Sequence, residues 1–316
     1  MMKTLIKSTL AIAMAALATS CINETESDFD RIVKRDDAIV AEYITSKGIE
    51  ATQTQIGYYY KKEVEVDEGT QFANNDIIGI YYEVKTLDGH LIESYLDESK
   101  NPVLFKYSQN GLWPAAMGYA AGLAKPGETF TLIIPSYLAY NTYSYQQLIP
   151  ASANLVAKVK YVRKYTEDQV KQLEDQMIQD YLAEKELEGF EKNDKGIYIR
   201  VVEEGEGEAS KNGNTITFSY EMFELNGTKA IAESTTNNPV ISLGSAQNIV
   251  FLNESLVNLP KGAEVEVIAP SHTAYGETVQ VVPAQIRQDL VGKGELQHFT
   301  PPYAPIRFNA EIIRIQ

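Results

Sequence analysis

The chain has one cysteine, Cys21, one tryptophan, Trp113, and three histidines, His90, His272 and His298. A lone cysteine closes no intramolecular disulfide, so packing alone must hold the fold. The histidines lack metal-ligand spacing and lie in no His-Glu pair of the kind zinc hydrolysis needs, so neither a metal nor another cofactor is expected. No basic run occurs anywhere, and 28 basic against 43 acidic residues leave a formal charge of −15. Such a body repels nucleic acid and anionic membrane surfaces. Gly205-Glu206-Gly207 lacks the strand-turn-helix setting of a phosphate loop and is expected as a turn. The apolar stretch from Leu10 to Ala18 is too short to span a bilayer.

That stretch follows Lys3 and Lys7 and has the length of a signal-peptide core, so residues 1–20 are expected to be removed. Leu17-Ala18-Thr19-Ser20 leading into Cys21 resembles a bacterial lipobox. The resemblance implies acylation of Cys21 and anchoring in the outer membrane, on its periplasmic side or at the cell surface, each buried methylene adding about 0.8 kcal/mol. Glu24, Glu26, Asp28 and Asp30 follow. This acidic leader resembles the export signal of surface lipoproteins from Bacteroidetes-type bacteria; a plain solvated linker over 21–30 is the alternative.

The remaining 286 positions (31–316) are enough for two domains, and an internal repeat divides them. Tyr43 falls on Tyr181, Gly69 on Gly207, Tyr82 on Tyr220 and Gly89 on Gly227, each 138 positions apart. Residues 31–165 and 166–316 are therefore expected as two copies of one domain. Each opens with a helix. Phe29, Ile32, Val33, Val40, Tyr43 and Ile44 recur at helical spacing, with Gly48 placed as the stop. In the second copy Thr166 and Gln169 have capping-box spacing before Val170, Leu173, Met177, Ile178, Tyr181 and Leu182, with Gly189 as the stop.

After each helix the period changes to two. Ile78, Ile80, Tyr82 and Val84 share one strand face, as do Ile216, Phe218, Tyr220 and Met222, with Thr215, Thr217, Ser219 and Glu221 on the wet side. Further strands are predicted at 129–134, 155–162, 265–269 and 306–312. The fold class is α+β: in each copy an antiparallel sheet wrapped around a short helix.

Residues 80–95, IYYEVKTLDGHLIESY, then PGETFTLIIPSYLAY at 126–140 and IPASANLVAKV from Ile149 carry three blocks in a family-specific order. They resemble the FKBP-type peptidyl-prolyl isomerases. FSYEMFELNGT at 218–228, PKGAEVEVIAPSHTAYG at 260–276 and TPPYAPIRFNAEI at 300–312 resemble the same blocks, more distantly. The resemblance implies an apolar pocket that favours a twisted X-Pro amide, with no covalent chemistry. In the first copy it would comprise Tyr82, Ile92, Glu93, Phe105, Trp113, Met117, Tyr140, Tyr145, Leu148 and Ala157, with Ala116 as the competing floor. The family usually has Phe at Ile92, Asp at Glu93, Trp near Met117 and Phe at Ala157. The longer Glu93 is expected to fall short of the tyrosine. In the second copy the pocket would use Tyr220, Ile231, Ile241, Ile249, Leu252, Tyr275 and Phe308, with Ala232 or Glu233 at the carboxylate position.

Tyr140 to Ala157 spans 17 positions and Tyr275 to Phe308 spans 33. The additional VPAQIRQDLVGKGELQ is expected to overhang the second copy's own pocket, as a lid, a docking element or a tolerated insertion. The implied activity is prolyl isomerisation of exported, proline-containing polypeptides. A noncatalytic module gripping an envelope protein or, through its many tyrosines, a glycan is the rival, and a pair of spacer domains is a third possibility.

Overall fold

The structure, a computed structural model, describes residues 27–108, 111–234, 236–277 and 280–316. The expected signal segment, Cys21 and most of the acidic leader lie outside these residues. Helix α1 (Asp28–Lys47) takes up the last part of that leader: Ser27 caps it, with Asp30 completing a capping box, and Gly48 ends it at φ 62°. The first turn is acidic, which suits the positive end of a helix dipole.

Strands β1 (Thr52–Gln53), β2 (Tyr59–Val64), β3 (Ile77–Thr86), β4 (Leu91–Tyr95) and β5 (Val103–Lys106) follow, then helix α2 (Ala115–Ala121), β6 (Thr129–Ile134) and β7 (Leu155–Tyr165). The sheet runs β1-β2-β6-β7-β3-β4, with β5 also on β3. Helix α3 (Glu167–Glu184) opens the second copy through the Thr166–Gln169 box. Gly189 does not stop it. Glu186 takes the left-handed conformation at φ 52°, and the Leu187 N–H reaches back to the Leu182 carbonyl, so the helix closes earlier.

The second sheet uses β8 (Glu191–Lys192), β9 (Tyr198–Glu203), β10 (Thr215–Glu224), β11 (Ala232–Ser234), β12 (Val240–Ser242), β13 (Glu264–Ala269) and β14 (Ile306–Ile315). Its order, β11-β10-β14-β13-β9-β8 with β12 on β10, is the first sheet's order strand for strand. Helices α4 (Val250–Ser255) and α5 (Ala284–Gly292) complete the chain. All the strand pairings are antiparallel.

The alternating residues of β3 and β10 do point into the cores: Ile78, Ile80 and Val84 are buried in one, Ile216 and Phe218 in the other. The outer face of β10 stays half exposed, whereas β3 is buried on both faces along most of its length. Ile77, Leu104 and Tyr165 on the first sheet are covered by Val170 and Leu173 of α3 and by Tyr303. Each leading helix also inserts one buried acid among its apolar residues. Asp36 accepts from the Ser136 backbone N–H and hydroxyl and pairs with Arg35; Glu174 accepts from the Ser271 N–H. Both serines begin the short 3-10 turn that ends two residues before a pocket tyrosine.

Candidate active site

The first pocket is assembled around β3. Tyr82 and Val84 face inward, and β4 sets Glu93 opposite Val84. The register slips between Val84 and Lys85, so Ile92 is an additional residue on β4. Such a bulge re-aims side chains, which explains how adjacent Ile92 and Glu93 both serve the interior. Ile92 is buried in the core, and Glu93 Oε2 accepts from the Tyr82 hydroxyl at 2.5 Å. The glutamate therefore reaches the tyrosine, contrary to the expectation from its length.

β5 contributes Phe105 opposite Ile78, and β7 places Ala157 opposite both Val84 and Leu132. Phe105, Met117, Tyr140 and Ala157 are fully buried; Trp113, Tyr145 and Leu148 are half-buried against the same core. Ala116 and Met117 both enter that core, and Met117 also fixes α2 through its carbonyl, which accepts from the Tyr161 hydroxyl at 2.6 Å. Trp113 meets Tyr140 edge to face with centroids 4.8 Å apart. The Tyr140 hydroxyl is buried and has no hydrogen-bond partner among the described residues.

Burial sets the electrostatics here. It pushes the Glu93 carboxyl above its ordinary range, against the opposing pull of the Tyr82 hydroxyl, the Ala284 amide and the Arg287 charge. It also holds the Tyr82 and Tyr140 phenols protonated far above neutral pH, with the Glu93 charge adding to the effect. A protonated phenol that lacks an acceptor, in an apolar pocket, is a preorganised hydrogen-bond donor.

The pocket is covered by the inserted segment that the sequence placed over the other copy. The inserted segment does not overhang its own copy. Val281, Val282, Ile286 and Leu290 pack into the first copy's core with Tyr82, Ile92, Phe105, Met117 and Tyr140. Leu112 and Val281 form a parallel bridge, with Trp113 N–H to Val281 O at 2.9 Å and Val281 N–H to Gly111 O at 3.0 Å. The Ala284 N–H donates to Glu93 Oε1 at 3.1 Å. Arg287 is buried and donates to the Thr300 carbonyl; burial lowers its pKa, while Glu224, Tyr82 and Glu93 oppose the shift. The one legible signal was Val-Val-Pro ahead of Ile286 and Leu290 at helical spacing.

The second pocket differs. β10 and β11 pair Met222 with Ala232 as β3 and β4 pair Val84 with Glu93. Ala232 thus holds the carboxylate position, and Glu233 is exposed. Tyr220 stacks on Phe308 at 5.4 Å, and Phe251, absent from the expected set, meets Phe308 edge-on at 5.1 Å. Ile231, Ile241, Ile249, Leu252 and Tyr275 are half-buried against this core. Tyr275 directs its hydroxyl at Met222 Sδ, 3.4 Å away, and its ring lies 5.3 Å from that of His298.

The family model for FKBP-type peptidyl-prolyl cis-trans isomerase matches residues 68–162 and again 206–313. The chain belongs to that family. Similar curated proteins include the probable FKBP-type peptidyl-prolyl cis-trans isomerase FkpA of Neisseria meningitidis serogroup B, 28% identical over 144 residues, which covers 45% of this chain and 50% of that protein. The FkpA of Buchnera aphidicola is 30% identical over 145 residues, 45% of this chain and 59% of its own length. The match to Escherichia coli K12 FkpA covers 28% of this chain and 33% of the relative, at 30% identity. The chain thus spans about a third to three fifths of the length of these relatives. Among solved structures, the three FKBP domains of wheat FKBP73 align over 84% of this chain and 99% of theirs, at 18% identity and a TM-score of 0.33. The crystal structure of E. coli FkpA aligns over 49% of this chain and 75% of its own, at 18% identity and TM-score 0.33.

Proposed function

We propose that the first FKBP copy is a prolyl cis-trans isomerase acting on exported polypeptides. Rotation about an X-Pro bond faces a barrier of about 18–20 kcal/mol because amide resonance is lost in the twisted state. A pocket lowers that barrier by excluding water and offering donors that suit the twisted amide better than the planar one. The observation that carries the proposal is the buried, unpartnered Tyr140 hydroxyl beside Trp113 and the Tyr82–Glu93 pair. A proline-preceding carbonyl entering the pocket would supply the acceptor this phenol lacks.

The client would be a proline-bearing envelope polypeptide, and acylated Cys21 would hold the isomerase at the outer membrane. The second copy, open and without a pocket carboxylate, fits a noncatalytic grip on the same chain or on an envelope partner. A protease-coupled isomerisation assay on the purified protein tests the proposal. Turnover that vanishes in Tyr140→Phe while the melting temperature holds supports catalysis; turnover indifferent to Tyr140 refutes it.

A further inference from the structure

We infer that Val281–Leu290 is an internal ligand of the first copy's pocket, which keeps the proline site closed against proline-bearing clients. The inference rests on the isomerase reading of that pocket.

The chain path carries the argument. Val281 and Val282 lie in the same buried core as Tyr82, Phe105 and Tyr140. Pro283 is buried, and Ala284 donates its N–H to Glu93. The proline is therefore bracketed between the pocket's apolar wall and its carboxylate. Upstream, Val281 continues the backbone of Gly111–Trp113 as a short parallel ladder. Hydrogen bonds to main chain with side chains seated in pockets are how extended peptides are recognised.

Simple core packing does not account for the arrangement. A permanent interior is better served by apolar side chains than by a buried carboxylate and a hydroxyl without a partner, each of which costs free energy. Glu93 divides its oxygens between Tyr82 and Ala284, while the Tyr140 hydroxyl finds nothing. The segment thus meets the pocket's needs incompletely, as a stand-in does. Two further tethers are at the surface: Lys106 with Glu277, and the Tyr143 hydroxyl with Asp289 at 2.8 Å. Because the segment is covalently attached, even weak intrinsic affinity keeps it seated, and a proline client must compete with that local concentration.

Ala284→Pro is the sharpest test. Ala284 is exposed, is the first residue of α5 and follows Pro283 at φ −52° and ψ 132°. Proline suits that position and that preceding conformation, yet it removes the N–H given to Glu93. The expected result is a rise of about tenfold in kcat/KM on a Val-Pro peptide, the scale of one lost charge-assisted hydrogen bond. A fluorescent acetyl-Val-Val-Pro-Ala-Gln-Ile amide should bind about tenfold more tightly, by the same arithmetic.

Glu277→Ala with Asp289→Ala cuts the surface tethers without touching the core and should shift both readouts the same way, by about threefold on the scale of exposed ion pairs. Gln288→Ala, on the exposed side of α5, should change neither. If the wild type turns over and both variants match it in turnover and peptide binding, the inference is overturned and the isomerase reading stands. Variants that bind the hexapeptide more tightly yet turn nothing over keep the internal ligand and refute the isomerase reading. Folded variants that neither bind it nor turn over refute the inference.

Discussion

β3 and β10 are each ten residues long and hold the same place in sheets of the same strand order, yet the pockets beside them have diverged in opposite directions. The first retains a carboxylate at Glu93, has alanine at 157 and is closed by a segment of the other copy. The second has Ala232 at the carboxylate position, Phe308 where the first has Ala157, and a half-exposed apolar wall. A sheet is specified by alternation and turns, which tolerate many side chains. A site depends on a few atoms at fixed separations, so one copy can lose its chemistry while both keep the fold. The insertion that lengthens the second copy is spent on the first.

The exchange of Ala157 for Phe308 should give the largest effect. Phe308→Ala removes the ring that Tyr220, Phe218 and Phe251 all contact, and should destabilise the protein by about 3–5 kcal/mol in denaturant unfolding. Ala157→Phe, in a pocket already filled, should cost about 1–3 kcal/mol through overpacking. If Ala157→Phe proves neutral, the first pocket has unfilled space and the contrast between a closed and an open site is wrong.

Next come the two pocket tyrosines. Tyr140→Phe should lower turnover by about 10²–10³-fold, the effect of losing one preorganised donor. It should also raise stability by about 1 kcal/mol, since an unpaired buried hydroxyl is removed. Tyr275→Phe should leave turnover unchanged, because among the described residues its hydroxyl meets only Met222 sulfur. Equal losses from both would mean that the copies share catalysis, and the division of roles would fail.

The same contrast marks what the amino-acid sequence discloses. Period-two alternation located β3 and β10, and the positive-φ glycines 127 and 262 sit in turns before β6 and β13. The Thr166–Gln169 box marked the start of α3, because capping is local chemistry. Its end was misplaced because glutamate can occupy a left-handed cap that glycine favours. The buried acids were hidden within apolar stripes: Asp36 lies four residues before Val40, and Glu174 lies between Val170 and Ile178. The bulge at Ile92 and the seating of Val281–Leu290 in another copy depend on pairing and docking between distant segments, which no local period encodes.

The two buried helix acids differ in their partners. Asp36 has the Arg35 guanidinium and two donors from Ser136; Glu174 has the Ser271 amide, and its Oε1 is unpaired. Burial raises the Glu174 carboxyl from 4.5 to about 7, against the Ser271 hydrogen bonds. The folded state therefore holds this proton more tightly than the unfolded chain. Its contribution is complete below pH 4.5 and is lost as pH rises through about 7. At 1.36 kcal/mol per pKa unit, the full loss is about 3 kcal/mol. Melting at pH 5 and pH 8 measures it, and Glu174→Gln should flatten the difference. A wild-type protein equally stable at both values would mean that Glu174 is as well paired as Asp36.

The smallest effect concerns the two capping boxes, which look alike and should not be worth the same. Ser27→Ala frees the first turn of α1, where Phe29 is 59% exposed, so the end can fray with little packing lost. A cost of a few tenths of a kcal/mol is expected, at the low end for a cap. Thr166 joins β7 directly to α3, and Val170, one turn on, is buried against Ile77, Leu104 and Tyr165 with Tyr303 packed alongside. Fraying there would strip cover from the outer face of β3, the strand that carries Tyr82. Thr166→Ala should therefore cost about 1 kcal/mol, with faster hydrogen exchange in residues 167–170 and along β3. Equal costs at the two caps would show that α3 is only draped over the first sheet, leaving each copy to support its own pocket strand.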